Sequence, residues 1–292
     1  FKLLNINDSN TITIQPITKN VGCMDAQSIQ EIAGDLLFLS PDGLRTVAGT
    51  VRIGDVELGT VSRPIQPTIK AIAANIDNLD ITTAVLRSKS QYRLFYNTDG
   101  TANTAAKGVI ATLTSDGFQY SETLGIKATA LTSDLDLNGI EQTWHGDTDG
   151  YIYNHDDGFS FDYGGTAANI TSSYQTPNLD FGDVGTKKTM RYVRVSVSPE
   201  GGIQPTLRVR YDYEDPTIAQ PLDYVLDSIP LPSIFGTGIF GANVFGAASD
   251  PLIRQPVQGS GHTVSFVITS TDQLAPYTVN GLYIDYTPSG RR

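Results

Sequence analysis

Charge and sulfur are scarce in this chain. Of its 292 residues only 17% are charged, against roughly 25% in an average domain. The single cysteine, Cys23, excludes an intrachain disulfide framework and any cysteine-based zinc site. It reads as a small buried apolar residue. Three histidines, His145, His155 and His262, are too few for a multi-histidine metal centre. Lys and Arg number 20 against 31 acidic residues, a net charge of -11. That balance works against a surface for nucleic acid, which needs clustered cations, and against attraction to anionic lipid. Glutamate is rare: six Glu against 25 Asp. Glu suits helix interiors, whereas Asp competes for backbone hydrogen bonds and prefers turns and caps. No secretory leader is read at Phe1-Lys2-Leu3-Leu4, and a start on Phe rather than Met predicts a processed chain or the later part of a longer product.

What the chain has instead is Gly (28), Pro (15) and Thr (32), the residues of turns and strands, and the composition predicts an all-β protein. Only 68–76 carries a helical pattern, two turns at most. The first half repeats a unit of apolar strand, Asp-Gly turn and second strand. Leu36-Leu37-Phe38-Leu39 runs into Ser40-Pro41-Asp42-Gly43, Tyr92-Arg93-Leu94-Phe95-Tyr96 into Asn97-Thr98-Asp99-Gly100, and 109–114 into Ser115-Asp116-Gly117. Trp144-His145-Gly146 runs into Asp147-Thr148-Asp149-Gly150, and His155-Asp156-Asp157-Gly158 follows. Asp-Gly supplies the positive φ that tight hairpins need. The copies at Asp42, Asp99 and Asp149 are about 50 residues apart, a spacing that suits propeller blades; an ordinary meander sheet is the alternative. A boundary is expected after Gly164-Gly165, giving blade-like residues 1–165 and a β-sandwich over 166–292. In the second part, 191–198 and 206–213 alternate polar and apolar residues and are expected to pair as one long hairpin across Pro199-Glu200-Gly201-Gly202. Strands over 263–270 and 279–286, with an edge over 172–181, would complete the sandwich.

Residues 228–249 carry no charge. Within them Ile234-Phe235-Gly236, Ile239-Phe240-Gly241 and Val244-Phe245-Gly246 recur every five residues. Pro230, Pro232 and the glycines argue against a transmembrane helix, and no stable membrane insertion is expected. A period of five matches neither helix nor strand. These side chains either pack on their own sandwich or, as large exposed apolar patches usually do, mark a contact with a neighbouring subunit.

Several segments together carry a resemblance: Val21-Gly22-Cys23 with Gly34-Asp35-Leu36-Leu37-Phe38-Leu39-Ser40-Pro41-Asp42-Gly43; Ser62-Arg63-Pro64-Ile65-Gln66-Pro67; Gly146-Asp147-Thr148-Asp149-Gly150-Tyr151-Ile152-Tyr153 running into Gly158-Phe159-Ser160-Phe161-Asp162; Tyr174-Gln175-Thr176-Pro177 with Asp180-Phe181-Gly182 and Lys187-Lys188; and the closing Tyr283-Ile284-Asp285-Tyr286-Thr287-Pro288-Ser289-Gly290-Arg291-Arg292. In this order they resemble tail proteins of bacteriophages, in particular the nozzle (tail tubular B) and tail-hub proteins of short-tailed phages. The resemblance implies a β-propeller, whole or partial, joined to β-sandwich or jelly-roll parts. It implies a virion location in the tail and a homo-oligomeric ring, usually of six, around the channel through which viral DNA passes without sequence-specific binding. Other tail proteins, adaptor and fibres, would be its partners. Family members are longer than this chain, which implies an absent N-terminal portion.

The chemistry-bearing patterns are weak. Asp134, Asp136 and Asn138, in Asp134-Leu135-Asp136-Leu137-Asn138-Gly139, match the opening of a calcium loop. The position for a bidentate Glu holds His145, however, with Glu141 only nearby, so a plain acidic turn is the competing reading and no cofactor is expected. Ser40-Pro41-Asp42-Gly43 lacks the spacing and the Trp of a sialidase turn. Ser260 and His262 neighbour each other in a turn with no nucleophile elbow, and no phosphate-binding glycine loop is present. Trp144, the sole tryptophan, reads as core. The sequence therefore predicts a non-enzymatic, structural virion protein, with Ile234, Phe235, Ile239, Phe240, Val244 and Phe245 as interface candidates. A carbohydrate- or receptor-binding adsorption module is the alternative, and a glycosidase comes after it.

Overall fold

The computed structural model describes residues 2–16, 21–53, 60–98, 100–227 and 252–291. The chain is all-β, with two short α-helices among the described residues, and it divides into two compact units, residues 1–157 and 158–292.

In the first unit, strands β1 (Lys2–Leu4) and β2 (Thr13–Gln15) pair with each other. Three antiparallel sheets then follow in chain order, each a meander of sequence neighbours. The first holds β3 (Gln30–Ile32), β4 (Asp35–Ser40) and β5 (Gly43–Thr46). The second holds β6 (Asp80–Leu86), β7 (Gln91–Asn97), β8 (Lys107–Thr114) and β9 (Gly117–Leu124). The third holds β10 (Ala130–Leu135), β11 (Glu141–Gly146) and β12 (Ile152–Asn154). The opening strand of the middle sheet, β6, contacts the opening strands of both others, β3 and β10.

Helices α1 (Val47–Ile53) and α2 (Gln66–Ala74) lie between the first and second sheets in the chain. The latter is the segment with the helical pattern. Pro67 stands in its first turn, where a missing N–H costs nothing. Ile69 and Ile72, one turn apart, are buried with Leu37, Leu39, Leu44, Ile81, Tyr92 and Leu94 in the core of this unit. A positioned helix of this length needs that packing, because nine residues are too few to hold helix in water alone.

The Asp-Gly signals form turns of two kinds. Ser40 pairs with Gly43 and Thr114 with Gly117, so Pro41-Asp42 and Ser115-Asp116 are the central pairs of two-residue turns. In each the glycine opens the next strand rather than sitting at the tip. The hairpins β10–β11 and β11–β12 instead share a five-residue turn. In Asp136-Leu137-Asn138-Gly139-Ile140, Oδ1 of Asp136 accepts the amides of Asn138 (2.8 Å) and Ile140 (2.9 Å). In Asp147-Thr148-Asp149-Gly150-Tyr151, Oδ1 of Asp147 accepts those of Asp149 (2.9 Å) and Tyr151 (3.1 Å). Gly139 (φ 77) and Gly150 (φ 85) take the left-handed position that each turn requires. Asp99 lies outside the described residues.

The second unit opens with the short pair β13 (Phe161–Asp162) and β14 (Ala167–Ala168). Two sheets follow. One has the order β15 (Ile170–Gln175), β21 (Val264–Asp272), β17 (Thr206–Tyr211), β18 (Tyr224–Val225). The other is centred on β16 (Thr186–Pro199), flanked by β22 (Tyr277–Arg291) on one side and by β19 (Leu252–Pro256) and β20 (Ser260–Gly261) on the other. Met190, Val193, Val195 and Val197 of β16 share one buried cluster with Leu207, Val209 and Tyr211 of β17 and with Val264, Phe266 and Ile268 of β21.

The expected hairpin between 191–198 and 206–213 does not form. β16 is bonded on both edges by other strands, and β17 belongs to the opposite sheet. Period-two alternation states that a strand has one apolar face, and that face is satisfied equally by pairing beside a neighbour or by facing it across a core. Here it is the second. The segment expected as an edge supplies β15, which is the edge of its sheet.

Candidate functional site

Arg93 is a charged residue in the middle of the apolar strand β7, and it is only 4% exposed. Its guanidinium must therefore be met by partners, since an unpaired buried charge costs several kcal/mol. They come from just past the third sheet and from β7 itself. Nη1 and Nη2 donate to Oδ1 and Oδ2 of Asp156 at 3.2 and 2.6 Å, and Nη2 also donates to Oε1 of Gln91 at 2.9 Å. Lys89, in the β6–β7 turn, adds a 2.6 Å bond to Oδ2 of Asp156. Burial pushes the Asp156 carboxyl up, but the Arg93 and Lys89 bonds outweigh it and hold the group at about 2.

Nη1 of Arg93 also lies 3.2 Å from Nδ1 of His155. A guanidinium only donates, so Nδ1 accepts and the imidazole proton sits on Nε2. That Nε2 is buried without a hydrogen-bond partner. His155 packs edge-on against His145 (ring centroids 4.6 Å) and Phe95 (5.7 Å), and His145 stacks on Tyr153 at 4.9 Å. Burial first, then the neighbouring His145 and Arg93, lowers His155 to about 3. Burial lowers His145 to about 4. Both rings are neutral at pH 7.

A second carboxylate closes the same region. Glu141 opens β11, and its Oε1 accepts the Arg87 amide (2.8 Å) and the Ser133 hydroxyl (3.2 Å). Its Oε2 accepts the Ser88 amide (2.8 Å) and hydroxyl (2.5 Å). Burial raises this carboxyl, and the four bonds overcome that and set it at about 2. Ser88, Lys89, Glu141, Asn154, His155 and Asp156 line a polar cavity of about 350 Å³.

A general base needs a free lone pair and a proton affinity near the working pH. Asp156 and Glu141, both held at about 2, lack that proton affinity, and Nδ1 of His155 is occupied. What the cluster does is bind the third sheet to the β6–β7 turn. The first sheet is tied to the second in the same style. Nε2 of Gln30 donates to O and Oγ1 of Thr83, both at 3.1 Å, and the Tyr92 hydroxyl donates to Ser28 O at 3.0 Å.

The calcium candidates do not converge. Asp134 lies on β10, opposite Gln142, and Asp136 turns its carboxylate onto the amides of its own loop, Ile140 foremost, which hold it below the usual carboxylate range. Asn138 gives its amide to Asp136, and Glu141 faces Arg87 and Ser88. Among the described residues no group of three or more His, Cys, Asp or Glu side chains is placed to hold a metal ion. Asp42 binds the fully buried Arg45 and accepts from Ser40. Trp144 is half-buried on β11. Cys23 is exposed rather than buried; its thiol donates to Asp25 O at 3.0 Å, a polar turn that leaves it on the surface. His262 sits in the turn before β21 as expected, 3.1 Å from Val184 O. The interface candidates Ile234, Phe235, Ile239, Phe240, Val244 and Phe245 lie outside the described residues.

Sequence reasoning missed the Arg93–His155–Asp156 joint and the Glu141 clasp. One signal was available, a lone Arg inside an apolar strand. Its partner stands 63 residues away, and no spacing rule connects them. Searched against protein-family models and against curated proteins, the chain matches none.

Proposed function

We propose that this chain is a non-catalytic structural subunit of a phage tail nozzle or hub, assembling as a homo-oligomeric ring around a DNA exit channel. In this reading the first unit is part of a β-propeller and the second is a β-sandwich. The observation that carries it is the use of the polar clusters. Arg93, Asp156, Glu141 and Gln30, polar groups that could carry chemistry, are engaged in holding one sheet to the next. Contact of β6 with both β3 and β10 supports a fan of blades whose first strands are neighbours. The third sheet leaves Leu135, Leu137, Ile140 and Ile152 more than half exposed, as the last blade of an interrupted propeller would. A low content of Lys and Arg suits a wall past which DNA slides. Negative-stain imaging with native mass measurement tests this: a ring with a central hole is expected, and a monomer at every concentration would refute it.

The alternative is an adsorption module that binds carbohydrate. It draws on one observation, the polar cavity beside Asn154, Glu141 and Asp156. A glycan array separates the two, because specific binding to one glycan class supports the alternative.

A further inference from the structure

The two sheets of the second unit are open along one side. There β15 and β22 are the outer strands, with no strand paired to their far edges among the described residues. Between them runs a groove of about 730 Å³. Its floor is continuous with the core: Ile268 is buried, and Leu179, Leu282 and Ile284 pack against the buried cluster. At its rim Tyr174 is 54% and Leu274 45% exposed. Of the side chains lining it, only Asp272 is charged. β15 carries none of the usual protections of an edge strand: no Lys, no Pro, no inward charge, and all six residues exposed. A largely apolar groove with a single charged side chain, beside a free strand edge, fits an extended, uncharged, apolar segment.

The chain carries one such segment, the uncharged stretch 228–249 with its three repeats of an aliphatic residue, Phe and Gly. Its flanks fix where it leaves and re-enters the fold. It follows β18 and precedes β19, and these are the outer strands on the side of each sheet away from β15 and β22. Donor and acceptor therefore stand on opposite edges of the same unit. An interaction between opposite edges of identical copies is head-to-tail, and head-to-tail contacts close into rings when the rotation permits. At roughly 3.3 Å per extended residue, a stretch of this length reaches several tens of ångströms, enough to span to an adjoining copy.

We propose that the groove between β15 and β22 is the acceptor for residues 228–249 of the neighbouring copy of this chain. The proposal rests on the ring reading above and states where successive subunits engage. The phenylalanines would fill the apolar floor while backbone groups pair with the free edge of β15.

The test uses the full chain with a photo-reactive benzoyl-phenylalanine in place of Phe240. Copies labelled with ¹⁴N and ¹⁵N are mixed, assembled and irradiated, and the cross-linked peptides are read by mass spectrometry. Mixed-isotope links from position 240 to residues 172–176 or 278–284 are expected. Single-isotope links to the groove with no mixed ones would mean that each chain fills its own, and would overturn the proposal. So would mixed-isotope links to another surface, or no links. The paired variant Tyr174→Arg with Leu274→Arg changes only exposed side chains, and is expected to weaken self-association roughly tenfold or more with an unchanged circular dichroism spectrum. Unchanged association would also overturn the proposal. Native mass separates the two readings: an oligomer without groove links removes the docking site and leaves the ring, whereas a permanent monomer removes both.

Discussion

The buried imidazoles of His155 and His145 make the stability of the first unit dependent on pH, and His155, the more strongly shifted, opens the widest window. His155 is 8% exposed and faces His145, Arg93, Lys89 and Asp156. In the folded chain its pKa is lowered to about 3, against roughly 6.5 in an unfolded chain. The folded state thus refuses a proton that the unfolded state accepts. The stabilisation is fully present above pH 6.5 and is lost as the pH falls toward 3. Each pH unit inside that window changes the unfolding free energy by about 1.4 kcal/mol per proton. At pH 4.5, two units below the unfolded value, His155 should remove roughly 2–3 kcal/mol. Replacing it by Gln keeps an acceptor for Arg93 and removes the titration. Trp144 is the only tryptophan and lies in the first unit beside His145, so its fluorescence during urea unfolding reports on this unit alone. His155→Gln should be the less stable protein at pH 7, because the packing changes. Between pH 7 and 4.5 it should lose roughly 2–3 kcal/mol less than the wild type. The carboxylates and His145 titrate in both proteins, so the difference reports His155 together with its coupling to His145 and Asp156. Equal losses would refute the claim that the ring is buried and neutral.

Three further outcomes follow from the same geometry. Glu141→Ala should destabilise the first unit by about 2 kcal/mol, since hydrogen bonds to a charged group contribute about 1.5–3 kcal/mol; the Trp144 transition reads it, and an unchanged midpoint would show that the clasp contributes nothing. Gly259→Ala should destabilise the second unit by about 2 kcal/mol or more, because a Cβ there would lie 2.4 Å from the Tyr211 ring at φ +107, and near-UV circular dichroism of the tyrosines would follow the loss. Millimolar calcium should leave the melting temperature unchanged, because the Asp136 carboxylate is engaged by its own turn amides; a rise that EDTA reverses would contradict this.

The strands and turns of this protein are written locally. A β-branched run with alternating polarity prefers extended backbone wherever it lies, and an Asp two residues before a Gly or Asn amide closes its own turn. Low Glu, high Thr and repeated Asp-Gly were therefore enough to read an all-β chain, and the short helix near Ile69 was visible from its three-residue spacing and Pro67. Partner choice is not written locally. The alternation in 191–198 and 206–213 fixes an apolar face but not what covers it, and only the tertiary structure set these strands in opposite sheets instead of one hairpin. Cys23 has the chemistry of a core residue, and the polar turn at Asp25 keeps it at the surface. The joint between the second and third sheets, where Arg93 meets Asp156 and His155, unites groups that neither period nor spacing links. Their perturbed pKa values come from burial, a property of the assembled fold that no single segment contains.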